Sequence, residues 1–209
     1  MTKPPEEGLI WEWRAFGSIS EPLAAKVRAH PIRQGISDIQ GEDLYLVSPE
    51  SDQNVKLRRS DGDWLLKLKL LIKTRNQQYE LYNEAAELMY KFPVSGDQLM
   101  AAALLLGVTL SNHPKSADRF TDKQLMLALE QASPSVPTTR VSKRRSQYEF
   151  DGAWVELAEV HFQSRKVESI SIHSPERKTV KVIVNELAPG EELEPMNYIM
   201  ACRRWGFAK

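Results

Sequence analysis

The sequence has little of several features that mark common classes of protein. Its 209 residues include one cysteine, Cys202, so an internal disulfide and a zinc site built from cysteines are both excluded. Basic and acidic residues balance at 28 each, which argues against a nucleic-acid-binding protein that relies on a strong overall positive charge. A nucleic-acid-binding β-barrel is therefore a weak alternative, and any anion site must be local.

Long hydrophobic runs are also missing. The longest, residues 99–108, is too short to span a bilayer, which needs about 20 apolar residues. Glu6 and Glu7 lie where a signal peptide would be basic and then apolar. We therefore expect a cytoplasmic protein that does not bind a membrane.

Sequence motifs of several enzyme classes are absent as well. The chain has no glycine-rich nucleotide-binding loop, no dinucleotide fingerprint and no Gly-x-Ser-x-Gly. Its histidines lack the spacing of a metal site; they are His30, His113, His161 and His173. With 42% hydrophobic and 27% charged residues, the chain is typical of a globular protein with one substantial core. We predict a single domain over residues 1–209, with a flexible lead-in at residues 1–8.

Basic residues recur at every second position in several segments predicted to be extended. In a strand, residues i and i+2 project from the same face, so each segment can direct two polar groups to one surface. The segments are 56–58, 67–69 and 143–145, together with 12–14, where Glu12 and Arg14 are two residues apart, and 178–181, where the two lysines are three residues apart. Several such strands side by side would form a cationic groove or tunnel suited to a polyanion. The alternative is the solvated face of an antiparallel sheet.

Period-two alternation and turn residues predict two groups of strands. The first group covers residues 9–16, 43–47, 54–59 and 63–74, and the turn Ser60-Asp61-Gly62-Asp63 predicts a hairpin between the last two. In that hairpin, leucines on one face place the basic residues on the other. The second group covers residues 140–150, 153–162, 168–173 and 179–187, with a hairpin turn at Asp151-Gly152.

Helices are predicted between and after the strand groups. Residues 78–132 form a mainly helical insertion, with helices at 78–89, 96–108 and 122–131, and residues 133–139 form a linker. A short helix within 18–33 would be capped by Ser20, and a C-terminal helix covers 196–205. The predicted fold class is α+β: an antiparallel β-barrel, or tunnel, with a helical insertion between two strand halves and a C-terminal helix.

The order of these segments resembles the CYTH superfamily, also called triphosphate tunnel metalloenzymes, which includes thiamine triphosphatases, class IV adenylate cyclases and RNA triphosphatases. Residues 10–16 are similar to its opening Glu-x-Glu-x-Lys strand, with Glu12 at the second acidic position and Arg14 at the basic one. Other similar segments are 43–46, the Leu-Arg-x-Arg-like 55–58, the lysine-ending 66–69 and the Lys-x-Arg-like 141–145. Glu80 lies where the family has an Arg-x-Glu-x-Glu segment.

The resemblance implies a site for a triphosphate-bearing or polyphosphate small molecule. Its phosphate-binding residues would be Arg14, Lys56, Arg58, Lys67, Lys69, Lys143 and Arg145. A divalent ion, Mg²⁺ or Mn²⁺, would be held by Glu12, Glu80 and Glu159. Glu156 is a further candidate ligand, but three residues from Glu159 in a strand it lies on the opposite face. The implied activity is that of a metal-dependent triphosphatase-type phosphohydrolase.

The chain departs from the family pattern at acidic positions. Ile10 replaces the first acid of the opening motif, and Ser169 and Ser171 lie where a Glu-x-Glu pair is expected, which leaves Glu168 as the single acid of that segment. Hard divalent cations need several oxygen ligands, so these losses bear on metal binding. The alternative function is therefore a catalytically inactive CYTH-like protein that acts as a binding or protein-interaction module.

Overall fold

The computed structural model describes residues 8–35, 37–84, 88–133 and 136–207, and the elements below are those of this part of the chain. The strands are β1 Leu9–Gly17, β2 Ile39–Leu46, β3 Asn54–Ser60, β4 Asp63–Arg75, β5 Tyr79–Asn83, β6 Met89–Lys91, β7 Val94–Ser95, β8 Arg119–Phe120, β9 Thr138–Phe150, β10 Ala153–His161, β11 Lys166–Ser174 and β12 Leu193–Pro195. The helices are α1 Glu21–Arg28, α2 Gly96–Leu105, α3 Asp122–Ala132, α4 Arg177–Leu187 and α5 Tyr198–Trp205.

Eight of these strands form a closed antiparallel barrel. Their order around the barrel is β1, β5, β4, β3, β2, β9, β10 and β11, and pairing between β11 and β1 closes the ring. The predicted α+β fold, with a barrel, helices between its two strand groups and a C-terminal helix, is confirmed. None of the helices in the described part of the chain combines the length and apolar composition needed to cross a membrane.

The predicted hairpin between β3 and β4 shows why charged residues enter the barrel. Leu57, Leu66 and Leu68 are buried in a cluster outside the barrel with residues of α2 and α3. Because side chains alternate along a strand, this packing turns Lys56 and Lys69 to the interior. Apolar burial on the outer face, at roughly 25 cal/mol per Å² of apolar surface removed from water, therefore fixes where the basic residues point.

Helix α4 corrects the strand predicted at residues 179–187. Val180, Ile183 and Leu187 are buried at spacings of three and four residues, which is the period of a helix face, and they pack on β1 and β11. Lys178 and Lys181 lie on the exposed side of this helix. They are therefore not part of a basic strand.

Strand β5 corrects the helix predicted at residues 78–89. Asn76 and Gln77, in the connection from β4, both have positive φ (51° and 59°), as in hairpins of the type that usually carries Asn-Gly. A glutamine at the second position conceals this turn in the sequence. Residues 85–87 lie outside the described part of the chain, as do residues 1–7 of the predicted lead-in and 134–135 of the predicted linker.

Helix α5 closes one end of the barrel. Phe16, Tyr45 and Phe162 pack there against Tyr198 and Trp205 of the helix. The Phe16 ring lies 5.2 Å from the Tyr198 ring in an edge-to-face arrangement. The barrel interior is thus apolar at this end and polar beyond it.

Candidate anion-binding site

The polar part of the barrel interior contains a cavity of about 250 Å³. All seven basic residues predicted to bind phosphate line it: Arg14, Lys56, Arg58, Lys67, Lys69, Lys143 and Arg145. They come from β1, β3, β4 and β9, and three of these strands supply a pair two residues apart. Other lining residues are Arg33, Asn54, Glu84, Gln147, Trp154, Glu156, His173 and Tyr198. We call this space the barrel cavity.

One buried carboxylate holds three of the basic groups. Asp43 Oδ2 accepts hydrogen bonds from Lys56 Nζ at 3.0 Å and Lys143 Nζ at 2.8 Å, and its Oδ1 accepts one from Arg58 Nε at 3.0 Å. Burial alone raises the pKa of Asp43, but the positive charges of Lys143, Lys56 and Arg58 hold it well below its usual value. Asp43 is therefore ionised, and it orients cations from β3 and β9.

Arg14 is held by carboxylates on two strands. Its Nε donates to Glu12 Oε1 at 2.7 Å, and its Nη1 donates to Ser169 Oγ at 3.0 Å and lies 3.5 Å from Glu156 Oε1. Glu156 Oε2 accepts from Arg145 Nη1 and from Gln147 Nε2, each at 2.9 Å. These contacts fix both guanidinium groups in the barrel cavity.

Burial disfavours the charged forms of three of the four lysines of the barrel cavity, whereas Glu12 and Glu84 raise the pKa of the fourth, Lys69. Burial lowers the pKa of Lys143 to about 8, despite the nearby Asp43. Burial also lowers the pKa of Lys67, and it lowers that of Lys56 well below the usual range. A polyanion placed among them would favour their charged forms.

An acidic and imidazole cluster lies next to Lys69. Glu12, Glu84 and His173 each offer one ligand atom, and these atoms all lie within 4.8 Å of one another. The Lys69 ammonium bridges the two carboxylates, 2.5 Å from Glu12 Oε2 and 2.9 Å from Glu84 Oε1. We call these three residues the Glu12–Glu84–His173 cluster.

The predicted metal ligands are not brought together. Glu12 belongs to the cluster, whereas Glu80 faces the interior but accepts hydrogen bonds from Tyr82 Oη at 2.6 Å and Asn197 Nδ2 at 2.7 Å. Glu159 lies outside the barrel cavity, 44% exposed, with its carboxylate 2.7 Å from Lys166 Nζ. It is the opposite face of β10, occupied by Glu156, that points inward.

Strand β11 contributes no carboxylate to the barrel cavity. Its register against β1 sets His173 opposite Glu12, Ser171 opposite Arg14 and Ser169 opposite Phe16. The side chain of Glu168 projects from the opposite face of β11. Its Oε2 accepts a hydrogen bond from the Ile19 backbone N–H outside the barrel. Serines thus lie where the family pattern has its acidic pair on this strand, and His173 is a further residue of the same face.

Sequence reasoning missed several polar residues of the site. Asp43, Glu84, His173 and Tyr198 are among those that were not predicted. His173 has the same parity as Ser169 and Ser171 in a predicted strand, so alternation alone could have placed it inside. Glu84 lies within residues 78–89, which were predicted to be helical, and Tyr198 lies in α5, so no strand alternation pointed to either.

No protein-family model matches the sequence, and no curated protein matches it either. Solved structures do match. A putative adenylyl cyclase from Hippeastrum, described as having a dominant triphosphatase activity, has 12% identity and a TM-score of 0.53, over 95% of this chain and 97% of that chain. A putative adenylate cyclase from Bacillus halodurans has 13% identity and a TM-score of 0.51, over 93% of this chain and 98% of that chain. The chain has the CYTH fold.

The CYTH fold explains the order of the segments that carried the resemblance. Residues 10–16 lie in β1, 55–58 in β3, 66–69 in β4 and 141–145 in β9, and all four strands line the barrel cavity. Each of these short segments is degenerate by itself. The fold places all four segments around one cavity, which their sequences alone do not show.

Proposed function

We propose that the chain binds the polyphosphate group of a triphosphate-bearing small molecule inside the barrel. The observation that carries this proposal is the convergence of seven basic side chains from four strands on one cavity inside the barrel. Arginines there can bind phosphate oxygens with two parallel hydrogen bonds, and lysines add compact charges. A solvated sheet face, which was the alternative for each basic segment, does not bury its lysines.

The charge of the site supports a polyanion. The seven basic groups face four ionised carboxylates of the described chain, those of Glu12, Asp43, Glu84 and Glu156. The carboxylates hold the basic groups in place and are fewer than these groups. A phosphate chain with several negative charges would pair with the arginines and Lys69 and would favour the charged forms of Lys56, Lys67 and Lys143, whose pKa values burial lowers.

The size of the barrel cavity favours a triphosphate moiety over a whole nucleotide. Sites for drug-sized ligands have volumes of about 300–1,000 Å³, and this cavity has about 250 Å³. The phosphates would lie inside while the organic group stays near the opening. The cavity itself would then recognise phosphate and not a particular base or vitamin.

A second candidate function is hydrolysis of the bound triphosphate. It is favoured by the Glu12–Glu84–His173 cluster, which adjoins a phosphate-binding lysine, and by the triphosphatase activity described for the Hippeastrum protein. A divalent cation held by the cluster would neutralise phosphate charge and polarise the phosphoryl group. The residues of the chain would bind and align the phosphates around it.

The remaining alternative, a protein-interaction module without a ligand, would be favoured by an interior blocked with apolar side chains. The apolar end of the barrel, where Phe16 and Tyr198 pack, stops short of the basic residues. The cavity beyond it is lined mostly by polar side chains. This arrangement favours ligand binding inside the barrel.

Thermal unfolding with a panel of anions tests the proposal. Tripolyphosphate, ATP and thiamine triphosphate should each raise the melting temperature, because a ligand at 100 times its dissociation constant adds about 2.7 kcal/mol of stability. Lys67→Met should reduce the shift; Lys67 has a weak ion pair, 3.6 Å from Glu84 Oε2, so its loss disturbs the fold little. Lys166→Met, at an exposed position, is the matched control. No shift with any anion would contradict the proposal.

A further inference from the structure

We propose that the Trp154 ring is the subsite for a planar aromatic group attached to the triphosphate, and that Arg33 moves from this ring to the phosphates when such a ligand binds. Both residues line the barrel cavity, and neither lies in the segments that carried the family resemblance. The inference rests on the proposed function, and it adds the chemical class of the organic group.

Trp154 lies at the end of the barrel cavity that is farthest from α5. Ala158 and Val160, two inward residues of β10, belong to the apolar cluster that packs with α5. Glu156 precedes them on the same face and lines the barrel cavity, and the half-buried Trp154 lines it beyond Glu156. Because inward side chains follow one another at every second residue, the indole lies between the phosphate-binding residues and the opening.

The Trp154 ring is held in a fixed orientation. It stacks on the His173 imidazole, with ring centroids 5.0 Å apart and ring planes 2° from parallel. The imidazole is buried, and its Nε2 is hydrogen-bonded to Ser171 Oγ at 2.8 Å. The indole therefore offers a preorganised flat surface, and a ligand that binds it orders little further side-chain motion.

The Arg33 guanidinium covers this ring. Its Cζ lies 4.6 Å from the ring centroid, and its Nη1 donates to Gln147 Oε1 at 3.3 Å. The backbone around Arg33 is bound to β9, since the Arg33 N–H donates to the Gln147 carbonyl and the Glu149 N–H donates to the Pro31 carbonyl, each at 2.8 Å. The main chain is thus fixed, whereas the guanidinium is held by two weak contacts.

Arg33 differs in its partners from the other basic residues of the barrel cavity. Each of the seven predicted phosphate-binding residues forms an ion pair with a carboxylate. Arg33 forms none with the residues that the structure describes, and its side chain contacts a neutral amide and an indole. A phosphate can replace these contacts readily, because guanidinium groups bind phosphate oxygens through pairs of charge-assisted hydrogen bonds.

A planar aromatic group can take the place that Arg33 leaves on Trp154. Stacking of a base on an aromatic side chain is at least as favourable as a solvent-exposed cation–π contact, so the exchange loses nothing at the ring. The exchange gains a contact between Arg33 and phosphate. Inorganic tripolyphosphate would also gain the arginine but would leave the indole uncovered. Trp154 should therefore favour triphosphates that carry a purine base or a thiamine-like ring.

Calorimetric titration of the whole chain with tripolyphosphate, ATP and thiamine triphosphate, without divalent ions so that the ligands stay intact, tests the subsite. Trp154→Leu should lower the affinity for at least one aromatic triphosphate, relative to that for tripolyphosphate, at least fivefold. Trp154→Phe keeps a stacking surface and should restore most of this preference. A loss confined to ATP would assign the subsite to a purine, and a loss confined to thiamine triphosphate would assign it to a thiamine-like ring.

Trp64→Leu is the matched control and should keep the preference of wild type. Trp64 is also half-buried and has an arginine over its ring, with Arg59 Cζ 5.4 Å from the centroid, but it packs in the cluster outside the barrel.

Arg33→Met tests the movement of the arginine and keeps the test decisive if Trp154→Leu does not fold. It should weaken the binding of all three ligands at least threefold, whereas Arg59→Met should bind them like wild type. If wild type binds tripolyphosphate, an unchanged preference in Trp154→Leu or an unchanged affinity in Arg33→Met would overturn this inference and leave the proposed function standing. Binding of no ligand by wild type would contradict both.

Discussion

Lys143 and Asp43 form an ion pair inside the barrel, with Nζ 2.8 Å from Oδ2 and side chains that are 5% and 1% exposed. The same carboxylate also holds Lys56 and Arg58, each at 3.0 Å. Three cations that would repel one another are thus collected around one buried anion. The arrangement of these three basic residues in the barrel cavity therefore depends on the Asp43 carboxylate.

Replacing Asp43 with asparagine should therefore destabilise the fold strongly. Removing one partner of a buried ion pair leaves uncompensated charge and costs about 3–5 kcal/mol of unfolding free energy. Asp38→Asn is the matched control, because its ion pair with Arg144 is more than half exposed and should be worth about 0–1 kcal/mol. Urea unfolding measures both. Equal stability of the two variants would show that the basic residues do not need Asp43.

Polyphosphate binding should take up a proton at Lys143 in mildly alkaline solution. Burial lowers the pKa of Lys143 to about 8 in the free protein, and a bound anion would raise it again. Above pH 8 the free lysine is largely neutral, so binding requires protonation and this group weakens the affinity as the pH rises. Below about pH 7 it is charged in both states and takes up nothing.

Calorimetry at pH 8.5, in two buffers with different ionisation enthalpies, measures this uptake. Wild type should take up more protons on binding tripolyphosphate than Lys143→Met. The comparison removes the ionisation of the ligand itself, which is common to both proteins. Equal uptake would mean that Lys143 does not bind the anion.

Tyr198→Phe should have opposite effects on stability and on binding. Among the described residues, the buried Tyr198 hydroxyl has no hydrogen-bond partner, while the ring lies 4.6 Å from the Arg14 guanidinium and 5.0 Å from Lys143 Nζ. Phenylalanine keeps the ring and removes a group whose burial costs about 1–3 kcal/mol. The variant should be more stable but should bind tripolyphosphate more weakly, because the hydroxyl is free to donate to a phosphate oxygen.

Tyr90→Phe, a change of the same atoms at a half-buried position, is the control for both measurements. Unfolding and calorimetric titration of the two variants give the answer. A less stable Tyr198→Phe would mean that the hydroxyl has a partner in the free protein. Unchanged affinity would place the phosphate away from this side chain.

Cys202 should be inert in the native protein. It is fully buried, and burial raises the pKa of its thiol. The adjacent arginines do not activate it, because Arg203 pairs with Asp52 and Arg204 with Glu194. An aromatic disulfide reagent should react only after the protein is unfolded in denaturant. Fast labelling of native protein would contradict the buried position of α5.

Local sequence patterns predicted the strands that carry the basic residues of the barrel cavity. The β3–β4 hairpin follows from Asp61-Gly62 between two alternating segments, and α2 from an alanine and leucine run that begins with Asp97. Alternation then placed the basic residues of β3, β4 and β9 on one side. The cavity was predictable because these charges repeat every second residue on several strands.

The wrong predictions of secondary structure concern segments whose sequence patterns are compatible with both a helix and a strand. Residues 179–187 are rich in valine and isoleucine, which favour strands, yet Val180, Ile183 and Leu187 also form an apolar helix face. The turn before β5 lacks glycine, so its hairpin went unrecognised. Cross-strand partners such as Glu12 and His173 are far apart in sequence, and only the register of β1 against β11 makes them neighbours.

A crystal structure of the protein with tripolyphosphate tests most directly whether the barrel binds a polyphosphate. We expect three phosphorus atoms inside the barrel, with phosphate oxygens within hydrogen-bonding distance of Arg14, Lys143 and Arg145. An anion bound only on the outer surface, or an empty barrel at saturating tripolyphosphate, would contradict this expectation.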